Sequence, residues 1–194
     1  MTLFTARMPH SRETLRRFTR LQYNTFEFGG KAILLLISLA LIVFGAGQML
    51  ADGTILGIAT LLIGCLVLTN LNAKADGIAD DVAKAMGGKY PTLEYTFCES
   101  SFSFGEGDEK KEIPYASLFR ILEDGEYLYL FTSKASGYMV LAASVTAADG
   151  SADACGALKA RIASAASLSW TRPLSIWSFS LRDLLALKKA KKSR

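Results

Sequence analysis

Three cysteines, one histidine and two clusters of carboxylates are the residues of this 194-residue chain whose types suit chemistry. Cys65, Cys98 and Cys155 are odd in number and form no Cys-x-x-Cys pair, which argues against a disulfide framework. A single histidine, His10, argues against a histidine-based triad or a His-rich metal site. Asp76, Asp80 and Asp81 fall near the start of a predicted helix, where acidic groups are stabilised by the helix dipole without any ligand. No Glu or His lies beside them to complete the oxygen-rich cage of a hard cation. Glu106, Asp108, Glu109 and Glu112 alternate with Lys110 and Lys111 at a predicted hairpin tip, the pattern of a solvated surface. Gly45-Ala46-Gly47 and Gly105-Glu106-Gly107 lack the rest of a dinucleotide-binding pattern, and Gly88-Lys89 has no upstream glycine at P-loop spacing. Gly-x-Ser-x-Gly and His-Glu-x-x-His are absent. The expectation is a protein without catalytic residues, cofactor or metal.

The distinctive polar feature is the C-terminal end. Trp170, Leu174, Trp177, Leu181 and Leu184 mark one face of a predicted helix that starts at Pro173, a first-turn residue. Arg182, Lys188, Lys189, Lys191, Lys192 and Arg194 make the same segment strongly cationic. A basic amphipathic helix with Trp and Leu reads as a membrane-surface element. Trp170, Trp177, Arg182, Lys188, Lys189, Lys191 and Lys192 are therefore the candidate contacts to anionic lipid head groups. The competing reading packs the segment on its own domain.

The elements that would position these residues begin with two apolar runs. The mean hydropathy of +0.26 argues against a plain soluble globule. Residues 32–72 hold one charged residue, Asp52. Ala32–Leu50 is 19 residues and Thr54–Leu71 is 18, so as helices they span about 27–28 Å, close to a hydrocarbon core of roughly 30 Å. Only Ala51-Asp52-Gly53 separates them, and Asp-Gly is turn chemistry, so residues 32–72 read as a transmembrane helical hairpin. The long leader and the immediate second run argue against a cleaved signal peptide. Gly57, Thr60 and Gly64 put small residues on one side of the second run, a spacing that lets helices approach closely.

Charge is distributed by segment. Residues 1–31 carry a net +4, 32–72 carry −1, 73–165 carry −5 and 166–194 carry +6. The high isoelectric point thus belongs to the two ends and not to the middle domain, which disfavours nucleic-acid binding. Basic residues flank the hairpin on both sides (Arg7, Arg12, Arg16, Arg17, Arg20 and Lys31 before it, Lys74, Lys84 and Lys89 after it) while its tip has none. The expected topology is two-pass with both termini cytoplasmic, in the cell membrane. Tyr23, Phe26 and Phe28 sit where aromatic side chains favour the interface.

Residues 73–91 read as an amphipathic connector helix, with Ile78, Val82 and Met86 as its apolar stripe. From Thr92 the period becomes two. Leu93, Tyr95 and Phe97, then Phe102 and Phe104, Ile113, Leu118–Leu122, Tyr127–Phe131 and Tyr138–Leu141 describe about five short antiparallel strands. Asp124-Gly125 and Ser136-Gly137 supply turns, and Pro114 belongs at a strand start or an edge. On the central strand, Tyr127, Tyr129 and Phe131 are expected on the buried face. A helix over Ser151–Ala166 closes the domain with Cys155, Leu158, Ile162 and Ala165 inward, and Cys98 and Cys155 are expected in the core as small hydrophobes.

Two apolar helices with a tight turn, then Tyr95-Thr96-Phe97, Ile113-Pro114-Tyr115-Ala116-Ser117-Leu118-Phe119-Arg120-Ile121-Leu122-Glu123 and Gly125-Glu126-Tyr127-Leu128-Tyr129-Leu130-Phe131, resemble the YcxB-like family of bacterial membrane proteins over about residues 30–165. The resemblance implies a pleckstrin-homology-like (PH-like) domain tethered to the membrane, and supplies architecture instead of a reaction. The resulting expectation is a membrane α-helical hairpin plus an α+β domain, an antiparallel meander or partly open barrel capped by a C-terminal helix. Its parts are a basic cytoplasmic arm at 1–31, the hairpin at 32–72, the connector at 73–91, the PH-like domain at 92–166 and a basic amphipathic tail at 167–194. The expected function is a non-enzymatic binding or scaffold module at the inner leaflet. Its partners would be the lipid bilayer, anionic head groups, or a protein, and no nucleic acid. The rival is a transport or stress-response component in which the hairpin assembles as a homo-oligomer.

Overall fold

The computed structural model describes residues 2–106 and 109–173. Its first element is a strand. Phe4-Thr5-Ala6-Arg7-Met8-Pro9 alternates outward Thr5 and Arg7 with inward Ala6 and Met8, and these residues form β1 (Phe4–Pro9). Helix α1 (Arg12–Phe26) follows, its Ser11 hydroxyl accepting from the Thr14 amide. Then come α2 (Phe28–Asp52), α3 (Ile55–Thr69) and α4 (Ala73–Ala85). The rest of the chain supplies β2 (Thr92–Phe97), β3 (Ser101–Glu106), β4 (Glu109–Pro114), β5 (Arg120–Glu123), β6 (Tyr127–Phe131), β7 (Gly137–Leu141), β8 (Thr146–Ala147) and α5 (Ala154–Ala166). The chain divides into two units, one built from 2–18 with 82–173 and the other from 19–81, the division falling within α1 and within α4.

The first unit is α+β. One antiparallel sheet has the order β4-β3-β2-β1-β8 and the second has β5-β6-β7, both open. Residues 4–9 of the expected basic arm are thus part of this sheet: Phe4 pairs with Phe97, Ala6 with Tyr95 and Met8 with Leu93, so β1 lies between β2 and β8. The physical reason is the period-two alternation of Phe4, Ala6 and Met8, outweighed in the sequence reading by the basic residues around it. The eight strands also exceed the expected five, and the order is not a meander, because β1 enters from before the helices.

Pro114 ends β4, an edge strand that has no need of its missing N–H. Gly125, at φ +90, turns β5 into β6. All five residues of β6 are buried, so the sheet is covered on both faces and Leu128 and Leu130 are as buried as the expected Tyr127, Tyr129 and Phe131. Phe18 of α1 covers one face, its ring 6.4 Å from Tyr129 and 5.7 Å from Phe131. Tyr95, Phe97, Phe102 and Tyr115 form a second aromatic cluster under the five-stranded sheet. Helix α5 starts later than expected because Asp153 caps it, accepting from the Gly156 amide at 2.9 Å. Ala154, Leu158 and Ile162 are its buried residues, whereas Cys155 is half-buried and Ala165 exposed. Cys98 is half-buried as well, so neither thiol is a core hydrophobe.

The second unit is helical. Phe28–Ala51 has 24 residues, reaches a mean hydropathy of 2.4 over 18 of them, and is long and apolar enough to span a membrane. Helix α3 has 15 residues, shorter than the expected 18-residue run, because Thr54 serves as its N-cap and the chain leaves the helix at Asn70. Taken with α4, across a 45° bend, it reaches spanning length. Helices α2 and α3 pack antiparallel through small residues. A Cβ on Gly45 would lie 2.5 Å from the Leu61 nitrogen, one on Gly57 2.9 Å from the Met49 nitrogen, and one on Gly64 2.8 Å from Ile42. Buried Ser38 donates to the Gly64 carbonyl at 2.8 Å. Gly45 and Gly57 therefore face each other within the pair, and Gly64 faces Ile42.

Polar residues bind the ends of this helix pair to its neighbours. The Arg20 guanidinium grips Asp76 with two bonds, at 2.6 and 2.9 Å. Lys31, 2% exposed, donates to Asn24 at 2.6 Å and to Asn72 at 2.7 Å. Lys74 pairs with Glu27 and lies over the Tyr23 ring. In α4 the stripe is rotated from expectation: the buried residues are Ala75 and Ala79, and Ile78 and Val82 are exposed. Small side chains let α4 sit close, and the larger ones fall to the flank.

Candidate functional site

An open cleft of about 440 Å³ lies in the α+β unit. The turn between β5 and β6 supplies Glu123, Asp124 and Gly125, β6 supplies Leu128, and Ala142 forms part of the rim. Cys155 and Lys159 line it one turn apart on α5, and Arg172 closes the wall. The volume suits a small molecule or one side chain of a larger partner.

Each charged group in the cleft has a definable state. Lys159 pairs with Glu123, both largely shielded from water. Asp124 is committed to the fold. One of its oxygens accepts from the Tyr129 hydroxyl at 2.6 Å and from Arg17 at 2.9 Å, and the other from the Tyr127 and Glu126 amides. Burial alone would raise its pKa, but the Tyr129 hydroxyl, the Tyr127 amide, the Arg17 charge and the Glu126 amide together hold it below the ordinary carboxylate value. Tyr129 is shifted upward, by burial and then by the same hydrogen bond. Arg17 also reaches Glu126 and lies 4.5 Å from the centre of the Tyr127 ring. Arg172 has no hydrogen bond or ion pair among the described residues. Burial pushes the Cys155 thiol up against the opposing effect of Lys159, which keeps it protonated and a poor nucleophile. The cleft thus combines paired charges, one guanidinium without a partner among the described residues, and backbone groups.

The segment after α5 forms the cleft's outer wall. Ser167 ends α5 in the left-handed region, at φ 54. The Trp170 indole N–H donates to the Lys159 carbonyl at 2.9 Å, and the Glu123 amide donates to the Thr171 carbonyl at 3.0 Å, making a parallel bridge of Thr171 to Leu122. Trp170, a candidate lipid contact in the sequence, is thus half-buried and turned onto α5. Trp177, Arg182, Lys188, Lys189, Lys191 and Lys192 lie outside the described residues.

The acidic clusters do not converge on an ion. Asp76 is held by Arg20, and Glu112 accepts from Ser101. No group of three or more His, Cys, Asp or Glu suited to a metal occurs among the described residues. His10 is shifted downward by burial and is neutral at pH 7. Sequence reasoning missed the Arg17–Asp124–Tyr129 network and the cleft beside it. The Asp124-Gly125 turn was visible, but nothing in the spacing of Arg17 shows which carboxylate it meets 107 residues later.

No protein-family model matches the chain, and no curated protein or solved structure matches it.

Proposed function

We propose that the chain is a membrane-anchored, non-enzymatic binding or scaffold module. Helices α2 and α3 cross the bilayer as a two-pass hairpin, both chain ends are cytoplasmic, and the split α+β unit is a PH-like domain of YcxB-like type. This domain presents its cleft to a partner protein or a lipid head group at the inner leaflet. The observation that carries the reading is the pairing of β1 with β2. Residues 4–9 precede the apolar helices and 92–97 follow them, yet they are neighbours in one sheet. A folded sheet cannot be shared across a bilayer, so an insertion between its strands crosses an even number of times or not at all.

Two further observations agree. Nearly all of the large exposed apolar side chains among the described residues lie between Phe28 and Val82, Phe119 being the exception. Such an expanse is what lipid would cover. The 15 residues of α3 measure about 22 Å, which local thinning and the flanking turns accommodate. The glycine seam that would serve a hairpin oligomer is occupied within the α2–α3 pair, which leaves the oligomeric rival with less support. The basic flanks give the orientation.

The test is photo-crosslinking in intact cells from Ala142, on the cleft rim, with Asp149 as the control position. A discrete adduct from Ala142 alone, in the membrane fraction after a high-salt wash, is the expected result. Recovery of the chain in the soluble fraction, or equal labelling from both positions, contradicts the reading.

A further inference from the structure

The apolar exposure does not stop where the hairpin stops. On α2 and α3 it includes Leu36, Val43, Leu62 and Leu66, and it resumes on α4 at Ile78, 45% exposed, and Val82. Only residues 70–72 separate α3 from α4, and the axis turns by 45°. Ile78 therefore lies about one and a half helical turns from the α4 start, about 7.5 Å along its axis.

The side of α4 that Ile78 occupies is set by what the helix buries. Ala75 and Ala79 face inward, and Ile78 is displaced from them by about 60° and 100° round the helix. The acidic residue nearest the hairpin, Asp76, is neutralised by Arg20, which removes one obstacle to an apolar surrounding. Lys74 and Tyr23 stand together near the α4 start, an ammonium over an aromatic ring, with Phe28 exposed at the start of α2. Aromatic and cationic side chains of this kind settle at the level of lipid head groups.

We infer that α4 is an interfacial helix, lying on the bilayer surface with Ile78 and Val82 dipped into the boundary between head groups and acyl chains. The inference rests on the membrane reading of α2 and α3 and deepens it: the lipid contact extends past the spans to the helix that leads back into the domain. Its occupant is the bilayer itself, because Ile78 and Val82 are the next large exposed apolar residues in the chain after those of the hairpin. A helix with small residues on its inner side and larger ones on its flank suits this position, since the alanines allow close packing while the flank meets lipid.

Site-directed spin labelling of the full chain tests it. Cys65, Cys98 and Cys155 are changed to Ser, and Leu36→Cys, Ile78→Cys and Gly77→Cys are labelled one at a time in phosphatidylethanolamine–phosphatidylglycerol vesicles. A side chain added at Gly77 meets open space, 100° round the helix from Ile78. Collision with oxygen reports lipid and collision with a nickel chelate reports water. The expected result is a high oxygen-to-nickel ratio at 36 and a ratio at 78 several-fold above that at 77. Equal ratios at 77 and 78 with a high ratio at 36 overturn the interfacial helix and leave the spans standing. Protection of 78 from both reagents overturns it too, by showing that protein covers Ile78. A water-exposed label at 36 overturns the membrane reading and this inference with it.

Discussion

At the residue scale, Asp124 decides most. Its side chain closes a turn, receives a tyrosine hydroxyl and anchors Arg17, so its charged form is favoured in the folded protein. The sign of the pH effect follows. A carboxyl group whose folded pKa is lowered contributes stability that is fully present above the ordinary value of 3.8 and is lost as pH falls through the lower, folded value. Asp124→Asn should cost about 1–3 kcal/mol at neutral pH, because it leaves Arg17 without one partner and weakens the Tyr129 bond. It should also flatten the acid limb of stability below about pH 4. Acid unfolding of the full chain in detergent, followed by circular dichroism, measures both. An unchanged acid limb in the variant would show that Asp124 is no more ionised in the fold than out of it. None of this was legible beforehand, because an Asp-Gly turn looks alike whether its carboxylate caps only its own backbone or also meets a distant arginine.

At the element scale, the local pattern located most elements and misjudged their partners. Alternation found the β2-to-β7 region, and Asp124-Gly125 and Ser136-Gly137 marked its turns. The same alternation at Phe4, Ala6 and Met8 was masked by Arg7 and by the charge of the segment. In α4 the apolar stripe was present, but which part of it turns inward depends on how closely a neighbour approaches, and alanine wins where the approach is close. The helix pair makes the same point with glycine. Gly45 and Gly47 are two residues apart, and only Gly45 is opposed by backbone. Gly→Ala at an open helical site gains up to about 1 kcal/mol of helix propensity. At Gly45 the added carbon meets the Leu61 nitrogen and the Gly57 oxygen, so the change should instead cost about 1–3 kcal/mol. Thermal unfolding of Gly45→Ala and Gly47→Ala in detergent should move in opposite directions. A parallel rise in both would mean that the two helices are not packed through this seam.

At the scale of the whole molecule, the organising fact is an interrupted domain. A sheet begins at residue 4, leaves for four helices, and resumes at residue 92. The sequence allowed the helices to be found, since their composition is unmistakable, and it suggested orientation through its basic flanks. It could not show that the first strand belongs with the later ones, because strand pairing across more than 80 residues leaves no local trace. Under the proposed membrane reading, that pairing requires the two ends of the apolar segment to lie on one side of the bilayer, independently of any charge rule. Cysteine labelling in intact cells tests this most directly. In a chain with Cys65, Cys98 and Cys155 changed to Ser, Ala51→Cys at the tip of the pair and Thr5→Cys and Ser103→Cys in the sheet are exposed in turn to a membrane-impermeant thiol reagent. The account predicts labelling at 51 in intact cells, and at 5 and 103 only after the cells are opened. Labelling of 5 and 103 from opposite sides, or protection of 51 until lysis, would contradict it.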